Sequence, residues 1–518
     1  MSEQRQFPLQ KFLAAVFILL LLVGLYYFPF PSEAEYLQEF TIIHTNDIHG
    51  QIVPSRAEWY PGPRTPEVGG MAKLGTFLQE ERAEAYREDR PLLYIDAADF
   101  FTGTPESDLL DGKPVIEGLN AVDLDYTTLG NHEFDIPPEL LKNRIDELEA
   151  DVISSNVRYG DTDTPFPGTE KYKVAEHGGI EIGFFGLVAD YTPNMALPEN
   201  IEGIIFLDEI ETARKMVGKL KEKEVDLIVG ITHIGFESDA ELARSVEGID
   251  VLVGGHSHSR LEDPRRINGT IIVQAGSDLT NAGRLDLTFS GEEDIELSEY
   301  RGGLVTLYDY RYRADSEVEQ RLQPYLDRVE DELSRVVGKT ITSIERDPTE
   351  TSPLGNLVTD VMRRSVGADL AFQNAFGIRD NLPAGEITRR EVFSVLPFQN
   401  YIVELELKGE TIRRIFEGIV RGEEDIVTQF SGARVEVDYD RPEGERVTEL
   451  QVGGEPLDEE KKYTVATSNF LVYSGEGMEG LSEAIERRNH DDKLLYKLLE
   501  RHIEENSPVA PPVEQRLK

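Results

Sequence analysis

Five of the nine histidines in this chain, His49, His132, His233, His256 and His258, stand just past the ends of apolar runs. In α/β proteins that is where strands give way to the loops that carry ligands. Oxygen donors accompany them. Thr45-Asn46-Asp47-Ile48-His49-Gly50 sets a carboxylate and an imidazole two residues apart, enough to chelate one cation, and Gly50 lets the chain turn away. Asp96-Ala97-Ala98-Asp99 offers a carboxylate able to bridge two cations. Spacing does not choose between Asp96 and Asp99, and either also suits the cap of a turn. Gly130-Asn131-His132-Glu133-Phe134-Asp135 is more specific: Asn131 brings a neutral oxygen, His132 a group able to act on a leaving group, and Asp135 a carboxylate to orient its ring. Thr232-His233 and Gly254-Gly255-His256-Ser257-His258 follow, the last two histidines at alternating positions from which they can face two different ions. Together the five segments read as a dinuclear metal site.

The chain has no cysteine, which excludes thiolate metal sites, disulfides and a Cys nucleophile. Ligands of nitrogen and oxygen suit Mn, Zn, Fe, Co or Mg. Two such ions about 3.5–4 Å apart clamp a phosphoryl group and acidify a bound water. The chemistry expected is hydrolysis by in-line attack, without a phospho-enzyme. His132 would stabilise developing charge or assist the departing oxygen.

These residues need strands to position them. Apolar runs at 40–44, 92–95, 226–231 and 250–253 read as buried strands, and 72–87 and 207–224 as helices. The alternation predicts an α/β layer architecture. It gives a catalytic domain over 38–312, a linker helix over 313–337, a second α/β domain over 338–503 and a mobile tail over 504–518. Ahead of these, residues 12–30 form an uncharged apolar run of 19 residues, preceded by Arg5 and Lys11 and followed by Glu33 and Glu35. That run predicts a membrane anchor within 1–37, with the bulk of the chain outside at the cell surface. A secretory signal cleaved near Ser32-Glu33-Ala34 is the alternative, giving a secreted protein.

The formal net charge of -45 excludes general nucleic-acid binding, which needs a basic footprint. It also repels anionic substrates at long range. A metal pair makes the site locally positive, and salt screens the rest. The acid-rich, Lys-poor composition, in which Arg outnumbers Lys, fits a halophilic protein.

The order Asp-x-His, Asp, Gly-Asn-His-Glu, His and Gly-His-x-His resembles the calcineurin-type metallophosphoesterases. With the downstream motifs, the chain from Thr41 to about Gly480 is similar to the 5'-nucleotidase and UDP-sugar hydrolase family. The resemblance implies a four-layer αββα sandwich for the catalytic domain and a substrate-binding α/β (α+β) domain that rotates on the linker helix. It implies Asp47, His49, Asp99 and His258 as ligands of one divalent ion, and Asp99, Asn131, His233 and His256 as ligands of the other. Asp99 rather than Asp96 is then the bridge. Ala98 stands where the family usually has Gly.

Three stretches of the C-terminal half complete the likeness. Asn374 and Arg379, in Asn374-Ala375-Phe376-Gly377-Ile378-Arg379, match both ends of the family's Asn-Gly-Gly-Gly-Ile-Arg motif. Phe398 and Phe470 match its two base-stacking phenylalanines. Arg379 would fork onto phosphate oxygens. Glu476 stands where the family has an Asp that binds ribose hydroxyls. The arginines expected before Leu354-Gly355-Asn356 are absent in register, and Arg346 is the nearest. The function expected is hydrolysis of 5'-nucleotides. The same chemistry on 2',3'-cyclic nucleotides, UDP-sugars or a thiosulfate carrier, and a catalytically inactive nucleotide-binding surface protein, are the alternatives.

Overall fold

The structure, a computed structural model, describes residues 37–518 apart from 162, 292–294, 348, 399, 421–427, 475–477, 479 and 513. The apolar run at 12–30 and Glu476 therefore lie outside the described residues.

Two six-stranded sheets form the N-terminal half. In the first, strands Leu37–Thr45, Leu92–Asp96, Tyr126–Thr127 and Asp151–Val152 run parallel, with Asn281–Ser290 and Glu296–Thr306 added antiparallel at one edge. In the second, Ile180–Val188, Leu227–His233, Val251–Gly254 and Thr270–Val273 are parallel, and the short edge strands Lys173–His177 and Arg265–Ile267 pair antiparallel. The sheets pack face to face through Phe40, Ile42, Leu93 and Ile95 on one side and Phe184, Val229, Ile231 and Val251 on the other. Helices Met71–Glu88, Lys113–Ala121 and Pro138–Glu147 cover the outer face of the first sheet. Helices Glu209–Lys221 and Phe236–Ser245 cover that of the second. This is a four-layer αββα sandwich. Strands buried on both faces must be apolar throughout, and Leu227–His233 is buried at every position.

A second domain is built on a five-stranded sheet with Lys462–Ser468 at its centre, flanked by Leu370–Asn374 and Tyr401–Lys408. Helices Pro353–Val366 and Leu495–Asn506 pack on one face, and helix Gly409–Ile419 with the small sheet begun by Ala433–Val437 on the other.

Helix Ser316–Leu333 joins the two halves. Its N-cap, Asp315, accepts hydrogen bonds from the backbone N–H groups of Glu317 and Val318. Val318 and Leu322 belong to the apolar core of the first domain, and Val329 and Leu333 to that of the second. One amphipathic face thus spans both cores.

The tail expected to be mobile over 504–518 is instead packed. Helix Leu495–Asn506 covers its start. Val509 exchanges backbone hydrogen bonds with Lys339 and Ile341, and residues 516–518 pair with the edge strand Ala433–Val437 through Val435 and Val437. That edge would otherwise leave backbone donors and acceptors unpaired. Arg516 is 3 % exposed and donates to Asp360, to the carbonyl of Phe430 and to Thr359. Pro and Glu content pointed to solvent, but edge pairing and one buried guanidinium decide the outcome.

Candidate active site

The parallel strands of both sheets end on the same side of the sandwich, and every candidate metal ligand lies there. Asp47 and His49 follow Leu37–Thr45, Asp99 follows Leu92–Asp96, and Asn131 follows Tyr126–Thr127. His256 and His258 follow Val251–Gly254. His233 differs from the expectation: it is the last residue of its strand, not past it, and is fully buried.

The side chains converge. His49 Nε2 is 3.0 Å from His258 Nε2, and His258 Nε2 is 3.3 Å from Asp47 Oδ1. Asp99 Oδ2 lies 2.9 Å from His233 Nε2 and 4.0 Å from His49 Nε2, between the two groups of histidines. His256 Nδ1 is 2.7 Å from Asn131 Oδ1. Asp47, His49 and His258 could hold one ion, and Asp99, His233 and His256 another. His49, Asp99 and His132 form a third possible grouping. Asp96 turns away. It accepts from Thr45 Oγ1 and from the backbone N–H of Ala98, capping the turn that brings Asp99 inward.

Backbone strain marks the same residues. Asp47, His49, Asp99, His256 and His258 all have positive φ, between 49° and 78°. Outside glycine that conformation costs about 1–3 kcal/mol per residue and persists where the surroundings over-determine it. Close approach is enforced at Gly130, where a Cβ would sit 2.2 Å from Asp99 Oδ1, and at Gly255, where it would sit 2.8 Å from His233 Nδ1.

Main-chain acceptors set the tautomers of His233 and His49. His233 Nδ1–H donates to the carbonyl of Ala97 at 2.7 Å, and His49 Nδ1–H to that of Thr102 at 3.1 Å. Each Nε2 is then the bare nitrogen, facing the cluster. His233 Nε2 is buried and, with the ring neutral, faces another acceptor, Asp99 Oδ2, at 2.9 Å. An orphaned buried acceptor beside two carboxylates is what a cation would satisfy. A proton competes with a cation for that nitrogen. Burial opposes protonation of His233 and of His132, yet Asp99 beside the first, and Asp135 and Asp99 beside the second, lift both to about 10. Carboxylates that drive histidines this far create a strongly negative field for a cation to meet.

His132 Nδ1 pairs with Asp135 Oδ2 at 2.6 Å, as the sequence suggested. Glu133, quoted in the same motif without a role, is fully buried and accepts from the backbone N–H groups of Asp99, Phe100 and Gly130. It ties the two ligand loops together. Burial and the nearby Asp99 push its pKa up to about 8.

A cavity of about 480 Å³ joins the two domains at this point. Asn131, His132 and Asp135 line it from the catalytic domain, and Asn374, Arg379, Phe398 and Phe470 from the other. Sequence reading missed the catalytic-domain wall formed by Asn194, Met195 and Leu197. No motif flags that segment, and its place depends on how the domains dock. Arg346 does not line the cavity. Its Nη1 donates to the carbonyl of Ile378, bracing the loop that carries Arg379.

Such a sandwich, with His, Asp and Asn side chains gathered at its strand ends and a second domain closing over them, defines a two-domain metallophosphoesterase. The calcineurin-like phosphoesterase model matches residues 40–260, and the 5'-nucleotidase C-terminal domain model matches 335–483. The chain belongs to the 5'-nucleotidase family. It is 28% identical over 526 residues to a 5'-nucleotidase of Vibrio cholerae, covering 92% of each chain. It is 27% identical over 533 residues to a human 5'-nucleotidase, covering 93% of this chain and 91% of the other. A crystal structure of a 5'-nucleotidase precursor from Thermus thermophilus superposes with a TM-score of 0.71 at 29% identity, covering 93% of this chain and 99% of that one. The protein is a metal-dependent phosphoric ester hydrolase with two divalent ions as cofactors, and its donor set fits them.

Proposed function

We propose that the protein hydrolyses nucleoside 5'-phosphates to nucleosides and phosphate. The observation that carries this reading is the single cavity shared by His132 and Asn131 on one domain and by Arg379, Phe398 and Phe470 on the other. It offers a phosphate-reacting surface and exposed aromatic faces in one space.

Asp47, His49, Asp99 and His258 would hold one ion, and Asp99, Asn131, His233 and His256 the other, with Asp99 shared. When bound, the ions polarise the phosphoryl oxygens and acidify a water. His132, its Nδ1 tied to Asp135, keeps Nε2 for the departing ribose oxygen and passes it a proton. Arg379 forks onto phosphate oxygens. Asn374 adds an N–H donor, because its Oδ1 already accepts from Gln373. Phe398 and Phe470, 36% and 40% exposed, sandwich the base, a contact worth about 1–3 kcal/mol per base. Glu476 is assigned to the ribose hydroxyls on sequence alone.

The apolar run at 12–30 supports export, kept as an anchor or removed as a signal; none of the described helices is long and apolar enough to cross a membrane. The charge of -45 supports work in concentrated salt.

The test is phosphate release by metal-loaded protein from nucleoside mono-, di- and cyclic phosphates, UDP-glucose, NAD and p-nitrophenyl phosphate, at low and high salt. Monophosphates should lead. Phe398→Ala and Phe470→Ala should each raise KM for nucleotides more than for p-nitrophenyl phosphate, by about tenfold for 1.4 kcal/mol of lost stacking. Turnover of the aryl ester with no nucleotide cleaved would sink the reading.

A further inference from the structure

The segment 189–200 crosses from the metal cluster to the domain cleft. Two short 3-10 turns, Thr192–Asn194 and Pro198–Ile201, and the hydrogen bond from Thr192 Oγ1 to the carbonyl of Ala189 brace it. Asn194, Met195 and Leu197 line the cavity, and Leu197 also packs against the apolar core of the C-terminal domain. At the other end stands Tyr191. The residue is 41% exposed, so packing does not account for it. Its hydroxyl lies 2.7 Å from His256 Nε2, with the two rings edge to face at 5.7 Å and 64°.

The other nitrogen of His256 gives this contact its meaning. Nδ1 is 2.7 Å from Asn131 Oδ1, an atom that can only accept. In this arrangement Nδ1 carries the hydrogen, Nε2 is bare, and the Tyr191 hydroxyl donates to it. For Nδ1 to serve as a ligand it must be bare, and the neutral ring then carries its hydrogen on Nε2. A hydroxyl meets both needs by turning about its C–O bond, donating in one tautomer and accepting in the other. A carbonyl or carboxylate would fix one tautomer only.

We propose that Tyr191 is a positioning residue for His256. It holds the ring through both tautomers and sets the affinity of the ion assigned to Asp99, Asn131, His233 and His256. The inference rests on the dinuclear reading given above. Leu197, gripped by the C-terminal domain, steadies the segment from its far end, so the placement of Tyr191 depends on the docked domains.

The experiment is a titration of ion-free full-length protein with Mn²⁺, followed by calorimetry and by the Mn²⁺ electron paramagnetic resonance signal, for wild type and Tyr191→Phe. The substitution keeps the ring and removes only the hydroxyl. Wild type should bind two ions. Tyr191→Phe should bind one with unchanged affinity and the other about 10- to 100-fold more weakly. Its lost turnover should return as Mn²⁺ is raised, with KM for a nucleoside monophosphate unchanged at saturating metal. Two ions bound at wild-type affinities, or both weakened equally alongside a fall in melting temperature, would overturn the role of Tyr191. Fewer than two ions on wild type would overturn the dinuclear reading itself.

Discussion

At the scale of single residues, His132 is where two roles compete. Its Nδ1 is committed to Asp135 at 2.6 Å, its backbone N–H donates to Asp99 Oδ1, and it also stands in a cluster with His49 and Asp99 that could hold an ion. A ring oriented by a carboxylate is arranged for proton transfer, whose removal costs about 10²–10⁴ in rate. His132→Ala should therefore lower kcat by that order while metal analysis still finds two ions per chain. Loss of an ion in that variant would make His132 a ligand. Sequence alone named His132 and Asp135 because they sit three apart in one motif. Spacing did not separate Asp96 from Asp99, since both fit the same loop, and only the family resemblance favoured Asp99. The separation comes from Thr45, which takes up Asp96, and from Gly130, which leaves room for Asp99. Glu133 stood in plain view, but its role lies in three backbone donors that only the fold assembles.

At the scale of elements, the strands were legible because burial on both faces forces continuous apolar runs, and the joining helix because its apolar spacing is regular. The C-terminal strap was not, since it makes backbone pairs that leave no trace in side-chain pattern. Its anchor is Arg516, whose Nη2 lies 2.7 Å from Asp360 Oδ1 and whose Nη1 donates to the Phe430 carbonyl, at 3% exposure. Asp360 is itself 13% exposed and also accepts from Ser431. Removing one partner of a buried ion pair costs about 3–5 kcal/mol, because the other charge stays desolvated. Arg516→Ala should lower stability by roughly that amount in urea denaturation, and the paired change Arg516→Met with Asp360→Leu should recover part of it. If Arg516→Ala unfolds at the wild-type urea concentration, the strap is a surface attachment and not part of the second domain's framework.

At the scale of the whole molecule, two domains share one helix and close one cleft, and every part of that assembly carries excess negative charge. Leu109 and Leu110 of the catalytic domain pack against the core of the C-terminal domain, so the domains meet through apolar contacts as well as through the helix. Against these contacts stands the mutual repulsion of 98 acidic side chains balanced by only 53 basic ones. Net charge far from zero destabilises the compact state and slows the approach of an anionic ester. Both effects fade as the screening length falls from about 10 Å at 0.1 M salt to about 3 Å at 1 M. The melting temperature should climb through this range in KCl and then level off, because screening is by then nearly complete. KM for a nucleoside monophosphate should fall over the same range, as the outer field weakens while the two ions keep the inner one positive. An equal rise produced by sucrose at matched osmolality would assign the effect to solvent exclusion instead. A melting temperature that is flat or falls in KCl would show that the acidic surface carries no such cost, and that the chain's composition reflects solubility alone.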